Sequence, residues 1–458
     1  MELKNKRVLV VGLGKSGMAA ALFLRDKGAR VTVSDTRSAT ALAGEIPTLL
    51  DAGIMVEAGG HGLLTFRRQD LIVVSPGVPF DTPELKQVRT YGKDGPPIIG
   101  ELELASRFLE GKVVAITGSN GKTTTTSLLG KIFADAGTPT LVGGNIGTPV
   151  IELIAESTPE TVSVLEVSSF QLETVVEFHP QIAVVLNITP DHLDRHGTFE
   201  NYAAMKTRIT ARQTAEDFLV LNGEDPPTQM VAAKTKAQVF WFSGRRPIKQ
   251  GAFVHGESVL YVPREGAKPE PVLPLAEIPL KGAHNVENVL AAVCAARLAG
   301  IAAESIRASV ASFKAVEHRL EFVAKVGGVE FYDDSKATNV DATKKALEAF
   351  PGGIHLILGG KDKNSDYTEL AYLLRERVKT VATIGSAAEK IERELAGVVK
   401  IVSAGTLATA VRTLAQDAVA GDVVLLAPAC SSYDQFENYE QRGRAFKDLV
   451  KQLVAASS

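Results

Sequence analysis

Val113-Val-Ala-Ile-Thr-Gly-Ser-Asn-Gly-Lys-Thr-Thr124 is an apolar strand that enters a glycine-bearing turn and then helix-forming sequence. Such a turn points successive backbone N–H groups at a phosphate, and the positive end of the following helix adds to the attraction. Lys122 has the reach for the outer phosphates of a nucleotide, and the Thr123 hydroxyl suits Mg²⁺. The usual phosphate-loop pattern places glycine five residues before the Gly-Lys pair. Here that position is Ile116, and Gly118 stands inside the loop instead. The phosphate reading therefore rests on Gly118, Gly121, Lys122 and Thr123 together. An ordinary strand-to-helix turn with a solvated lysine is the plainer alternative, and the combination outweighs it.

On either side of this loop, short apolar strands alternate with helical stretches, which predicts α/β architecture with parallel sheets. A first unit has strands over residues 7–11, 30–34, 55–58 and 71–75, and Tyr91-Gly-Lys-Asp-Gly-Pro-Pro97 marks its end. A second unit carries the phosphate loop, strands over 162–167 and 182–187, a β-rich irregular middle from about 238 to 280, and a closing helix over 286–298. A third begins near Ala311, with strands over 329–332, 355–358, 381–384 and 423–426 and helices over 340–350 and 406–419. The expected domains are 1–97, 98–311 and 312–458.

At 458 residues the chain is too long for one core. Hydrophobic residues at 45% and charged residues at 22% fit a soluble globular protein. A formal net charge of -3 gives no general attraction to nucleic acid or anionic lipid, so an anionic ligand must be held locally. Cys294 and Cys430 both sit in apolar settings, which fits a reducing cytosol rather than a disulfide framework. No signal-peptide pattern precedes the first strand, and no apolar run approaches the ~18 residues a membrane span needs. The expectation is a soluble cytoplasmic monomer acting on small molecules, with no nucleic-acid or membrane partner.

Gly12-Leu-Gly-Lys-Ser-Gly17 follows the first strand and opens a helix, and Asp35 ends the second strand at a distance suited to ribose hydroxyls. Alone, this fingerprint suggests an NAD enzyme. The same geometry holds any diphosphate-linked nucleotide, so beside a second phosphate loop a nucleotide-diphosphate substrate is equally plausible. Glu166 follows an apolar strand, where a carboxylate facing Thr123 could complete a magnesium site. Asp191, His192 and Asp194, in Asn187-Ile-Thr-Pro-Asp-His-Leu-Asp-Arg-His196, form a metal- or phosphate-facing loop, whereas His196 reads as a surface residue. Lys206 falls in a helical stretch and composition alone leaves it a solvated charge. Asn285 and Asn288 share one helix face at i and i+3, with donors and acceptors that suit an adenine edge. In the third unit, Glu317-His-Arg-Leu320, Asp333-Asp-Ser-Lys-Ala-Thr-Asn339, Gly359-Gly-Lys-Asp-Lys363 and Ala429-Cys-Ser-Ser-Tyr-Asp-Gln-Phe436 gather cations and hydroxyls. Three of them follow apolar strands and so share one sheet edge, which suits a dicarboxylate and triphosphate oxygens.

Taken in order, these segments resemble the Mur ligases of bacterial peptidoglycan synthesis across essentially the whole chain. The phosphate loop, Glu166 and His192 are shared across Mur ligases and the related folylpolyglutamate synthases. The Asp-Ser-Lys-Ala-Thr-Asn and Pro428-Ala-Cys-Ser-Ser-Tyr-Asp-Gln-Phe436 segments resemble the glutamate-adding branch, and no Asp-Asn-Pro-Arg segment of the diaminopimelate- or lysine-adding branch is present. The resemblance implies a Rossmann-like N-terminal domain, a central P-loop ATPase-type parallel sheet and a Rossmann-like C-terminal domain. It implies ATP-dependent addition of D-glutamate to UDP-N-acetylmuramoyl-L-alanine through an acyl-phosphate. Another Mur-type or folylpolyglutamate-type ligase is the alternative.

By that resemblance Leu13, Gly14, Lys15, Ser16, Asp35, Thr36, Arg37, Gly77, Val78 and Asn145 would hold the uridine-diphosphate substrate. Gly118, Ser119, Asn120, Gly121, Lys122, Thr123, Thr124, Asn285, Asn288, Arg319 and Asp334 would contact ATP. Thr123, Glu166, His192 and Lys206 would serve two Mg²⁺ ions, Lys206 as a carbamate formed from CO₂. A carbamate turns a cation into a bidentate anion, but the lysine must first be neutral, as only about one in 2,500 is at pH 7 for a pKa of ~10.4. Lys122, His192, Lys206 and Lys336 are the expected catalytic residues, and Thr338, Lys363, Ser432 and Tyr439 are expected around D-glutamate. Two departures stand out. Tyr439 replaces an aromatic that is often Phe, adding a hydroxyl with no assigned use, and Lys361 competes with Lys363 for its role. Asp434 is left unassigned.

Two rival classes remain at this point. An NAD-dependent oxidoreductase leaves the second phosphate loop unexplained, and a hydride-transfer assay separates it. A non-catalytic ATP-binding regulator predicts no phosphate release with both substrates present. The ligase reading expects the two nucleotide cradles to serve one cleft and domain closure to exclude water from the acyl-phosphate.

Overall fold

Strand Arg7–Val11 lies in the middle of a five-stranded parallel sheet, ordered Met55–Ala58, Arg30–Asp35, Arg7–Val11, Leu71–Val74, Ile98–Gly100. Strand order reverses between Arg7–Val11 and Leu71–Val74, and their carboxyl ends open the crevice where such sheets take ligands. Helix Lys15–Asp26 covers one face with Gly17, Ala19, Ala20, Ala21 and Leu24. A Cβ on Gly17 would stand 2.0 Å from the Gly12 carbonyl oxygen, so only glycine lets the helix start this close to the strand. Ile98–Gly100 pairs with Leu71–Val74, so this sheet continues past the boundary expected at residue 97. The computed structural model describes residues 1–314 and 316–457, which leaves residue 458, the expected end of the third domain, outside the described residues.

The second sheet has nine strands. Lys112–Thr117, which feeds the phosphate loop, is flanked in parallel by Val162–Glu166 and Ile182–Val185. Thr140–Gly144 lies beyond Val162–Glu166. On the other side comes Phe218–Asn222, outside the expected stretch, and then Gln238–Ser243, Gly251–His255, Ser258–Val262 and Glu270–Pro274, the predicted β-rich middle. The closing helix, Ala283–Leu298, starts three residues earlier than its apolar pattern suggests, because the polar Ala-His-Asn turn is already helical.

The third sheet has six strands, ordered Glu321–Val326, Val329–Asp333, Val423–Leu426, Ile354–Gly359, Val378–Ile384, Lys400–Gly405. Its first pair is antiparallel and the rest are parallel. Alternate residues serve the two faces. Leu356, Leu358 and Leu425 enter one core, and Ile357, Val424 and Leu426 the other. Three adjacent strands end at Asp333, Leu426 and Gly359, which sets their following loops side by side, as predicted.

By packing, the chain divides into two compact units. One comprises residues 1–190, 195–273 and 290–309, and the other 191–194, 274–289 and 310–458. The first two sheets share a core in which Val8, Val10, Ala20 and Leu24 are continuous with Leu102, Ala115, Leu165 and Val185. The third sheet belongs to the second unit.

Candidate active site

The turn after Arg7–Val11 is fixed by Asp35. Its Oδ2 accepts from Leu13 N–H at 2.7 Å and Arg37 Nη2 at 3.0 Å, and its Oδ1 from Arg37 N–H at 2.8 Å and Nε at 3.1 Å. Burial pushes this carboxyl up, but the Arg37 guanidinium and the two backbone amides more than offset it, holding it below the ordinary aspartate value. Four donors use the acceptor directions a carboxylate has. Asp35 thus positions the Leu13 turn and the Arg37 guanidinium in this structure.

A cavity of about 480 Å³ opens at this strand-order reversal, a volume suited to a small ligand. Residues 13–16, Asp35, Arg37, Gly77, Val78 and Asn145 line it, and Thr36 is outside its lining. Sequence reasoning missed Ser75, Pro76 and Gln171 on its walls. Gln171 had a signal: it is N3 of a capping box with Ser168, in the run that starts at Glu166. Lys15 Nζ reaches the Gly147 carbonyl at 2.5 Å, so the turn of the first sheet is tied to the Gly-Gly-Asn-Ile-Gly loop of the second. Asn145, in that loop, donates to Glu166 Oε1 at 2.8 Å.

Glu166 is 1% exposed, and its other oxygen accepts from Thr123 Oγ1 at 2.8 Å. The expected metal pair therefore meets. Within the phosphate loop, Gly121 takes a left-handed φ of 86°, which favours glycine immediately before helix Lys122–Asp135. The loop is braced by Asn187, which accepts from Asn120 N–H at 2.8 Å through Oδ1 and from Ser119 N–H at 2.9 Å through its backbone carbonyl. Ser119 Oγ stands 2.9 Å from Tyr202 Oη, and Thr124 is buried in the first helical turn.

Lys206 departs most from its composition. It is 1% exposed, not solvated, and donates from Nζ to the Gly118 carbonyl at 2.8 Å, 4.6 Å from the centroid of the Tyr202 ring. Lys122 Nζ donates to the same carbonyl at 2.9 Å. Two ammonium groups thus converge on one oxygen inside the loop. His196 is a second correction, since it is buried rather than on the surface. Its Nε2 is 3.0 Å from Ser169 Oγ and its ring stacks on Phe170, partners that a polar loop sequence does not reveal. Among the expected metal ligands, His192 lies on the short segment that packs with the second unit, beside Asp191 Oδ2 at 3.6 Å.

In the second unit Asn285 and Asn288 share a helix face, as predicted, with Asn288 Nδ2 donating to Asn285 Oδ1 at 3.1 Å. Asp334 is buried beside Arg319 and Asp333, and that burial pushes its carboxyl up to about 7 against the pull of Arg319. Arg319 Nε is buried with no hydrogen-bond partner among the described residues, a costly state for a donor that a polar ligand would relieve, and His318 Nε2 is also buried, 3.6 Å from Glu317 Oε1. Burial and the Lys345 and Arg319 cations push the nearby His284 imidazole down to about 4.

The loops at the third sheet's edge are joined by Arg442, which is fully buried. It donates to Ser335 Oγ at 3.0 Å, Ser335 O at 2.8 Å and Cys430 O at 3.1 Å. This single fork sets Lys336 and Thr338 in one loop and Ser432 in the other. Lys361 pairs through its backbone with Ser431, whereas Lys363 Nζ lies 3.9 Å from Asp191 Oδ1.

Comparison with known proteins agrees with this assembly. The Mur ligase MurD-like N-terminal domain matches residues 6–100, the Mur ligase middle domain 116–296, and the Mur ligase glutamate ligase domain 318–430. A UDP-N-acetylmuramoylalanine--D-glutamate ligase of Acidobacterium capsulatum is 68% identical over 98% of this chain and 97% of its own. One from Koribacter versatilis is 59% identical over 99% of each. The solved pseudomurein peptide ligase type C of Methanothermus fervidus shares the fold at a TM-score of 0.62 and 21% identity, over 98% of this chain and 100% of its own. Among the described residues no helix is long and apolar enough to cross a membrane. The chain belongs to the Mur ligase family.

Proposed function

We propose that this chain is an ATP-dependent ligase that joins D-glutamate to the alanyl carboxyl of UDP-N-acetylmuramoyl-L-alanine in peptidoglycan precursor synthesis, working as a cytoplasmic monomer. The observation that carries the reading is the hydrogen-bonded path from the cavity to the phosphate loop, Asn145 to Glu166 to Thr123. It supports reading the cavity as the place of a nucleotide-linked substrate beside a triphosphate on the loop. Both cysteines are free and buried, in keeping with a reducing compartment.

The first division of the chain, 1–97 as expected and extended by its sheet to residue 100, holds the uridine diphosphate through Leu13, Gly14, Lys15, Ser16, Arg37, Gly77 and Val78, with Asn145 on the sugar-diphosphate. The second, to 311, presents the phosphate loop. Asn285, Asn288, Arg319 and Asp334 hold the rest of ATP, and the third division offers Thr338, Lys363, Ser432 and Tyr439 to D-glutamate.

The substrate carboxylate attacks the γ-phosphate, which gives the acyl-phosphate and ADP. The D-glutamate amine then attacks the acyl carbon, and the tetrahedral intermediate expels phosphate. The first step brings two anions together, and Lys122, Arg319 and Lys336 offset that repulsion. Thr123, Glu166 and His192 are the residues that would hold Mg²⁺, which when bound neutralises charge on the phosphate oxygens. Thr123 and Glu166 fit the role as adjacent buried oxygen donors. The two ammoniums on the Gly118 carbonyl repel each other, and conversion of Lys206 to an anionic carbamate removes that repulsion.

The test is phosphate release from ATP with UDP-N-acetylmuramoyl-L-alanine, varying the amino acid over D-Glu, L-Glu, L-Lys and meso-diaminopimelate. Turnover with D-Glu alone is the expected outcome. A preference for L-Lys or diaminopimelate would move the chain to another acceptor, and no release with any of them would end the ligase reading.

A further inference from the structure

The hydroxyl of Tyr439 has a partner in the structure. Tyr439 Oη lies 2.9 Å from Lys336 Nζ, and the same ammonium stands 4.6 Å from the centroid of the Tyr439 ring. The ring is itself held. Tyr439 begins helix Tyr439–Ser457, and its carbonyl accepts from Ser335 Oγ at 2.9 Å. Ser335 is in turn gripped by the buried Arg442. On another side the ring meets His318 edge-on, with centroids 6.2 Å apart and planes at 85°. His318 is anchored by Asp333 Oδ2, 2.6 Å from Nδ1.

Lysine carries a point charge on a flexible four-carbon stem, so the direction of its ammonium is set by the groups that hold it. A ring face restrains such a cation only loosely, through its quadrupole. A phenolic oxygen adds a directional acceptor, and a hydrogen bond from an ionised donor is about twice as strong as a neutral one. Tyrosine thereby supplies two restraints where phenylalanine supplies one.

We propose that Tyr439 is a positioning residue for Lys336, its hydroxyl orienting the ammonium at the strand-end edge where the acyl-phosphate forms. The proposal rests on the ligase reading above and deepens it. It leaves the ring of Tyr439 to D-glutamate and makes the hydroxyl act through Lys336, so deleting the hydroxyl alone affects the chemical step more than acceptor binding.

Tyr439→Phe keeps the ring and deletes the acceptor. With D-glutamate and UDP-N-acetylmuramoyl-L-alanine, kcat is expected to fall about tenfold while KM for D-glutamate stays within twofold and the thermal midpoint is unchanged. In a Lys336→Ala background the same change should add nothing. A raised KM with kcat intact would make the hydroxyl a substrate contact and overturn the proposal, as would an undiminished effect without Lys336. The ¹⁵N resonance of Lys336 Nζ, followed in the wild type and Tyr439→Phe, reads the contact without turnover: it should shift, and an unmoved resonance overturns the proposal. If the wild type turns over no substrate, the ligase reading fails while the resonance still decides this contact.

Discussion

Thr123 and Asn145 hydrogen-bond to opposite oxygens of one carboxylate, Thr123 Oγ1 to Glu166 Oε2 and Asn145 Nδ2 to Glu166 Oε1, each at 2.8 Å. One residue of the phosphate loop and one of the cavity wall are therefore set by a single buried acid. Glu166→Gln keeps an oxygen for Asn145 but replaces the acceptor facing Thr123 with a donor. Phosphate release should fall by about 100-fold or more, the cost typical of losing a group that stabilises transferring charge. Calorimetric affinity for the uridine nucleotide should stay within a few-fold. Equal loss of both would mean that Glu166 holds the nucleotide cavity itself together.

Lys206→Ala removes the buried ammonium beside Lys122. Ligation should be abolished while circular dichroism retains the native spectrum, and a short-chain carboxylic acid should restore part of the activity by supplying the missing anion. Full activity of the unsupplemented variant would refute the carbamate.

Arg195 braces the loop that forms one wall of the cavity. Its Nη2 donates to Val78 O at 2.9 Å and Glu173 Oε2 at 2.7 Å, and the guanidinium lies 4.7 Å from the Phe170 ring centroid. Lysine cannot bridge a carbonyl and a carboxylate while stacking on a ring. Arg195→Lys should raise KM for the uridine nucleotide roughly tenfold, with KM for ATP unmoved. A parallel rise in both would show general loosening instead of a local brace.

The sheets and their loops were legible because apolar strands, glycine turns and sequence order carry that information locally. Short or mixed strands such as Ile98–Gly100 and Lys400–Gly405 escaped, since their identity comes from neighbours already in the sheet. Burial of polar groups was the hardest feature to read. Glu103 looks like a solvated helix acid, yet it is fully buried and accepts from the backbone amides of Val176, Glu177 and Phe178. His196 and Lys206 were misjudged for the same reason: the groups that bury them arrive from remote parts of the chain.

Glu101 makes this burial measurable. One oxygen accepts from Ile151 N–H at 2.8 Å, and the other is buried with no hydrogen-bond partner among the described residues. Burial pushes the carboxyl from 4.5 up to about 7, helped by the Glu152 charge and opposed by backbone amides. The folded protein thus holds this proton more tightly than the unfolded chain does. The group favours folding fully below about 4.5, and that contribution is lost as pH rises through 4.5 to 7, a change on the order of 3 kcal/mol. Glu101→Gln cannot ionise, so the difference in thermal midpoint between variant and wild type should move toward the variant between pH 5 and 8. Subtracting the two curves cancels other titrating groups, among them Asp334. A difference that stays flat across that interval would mean that Glu101 is ionised at an ordinary pKa, and that water or a neighbour satisfies its second oxygen.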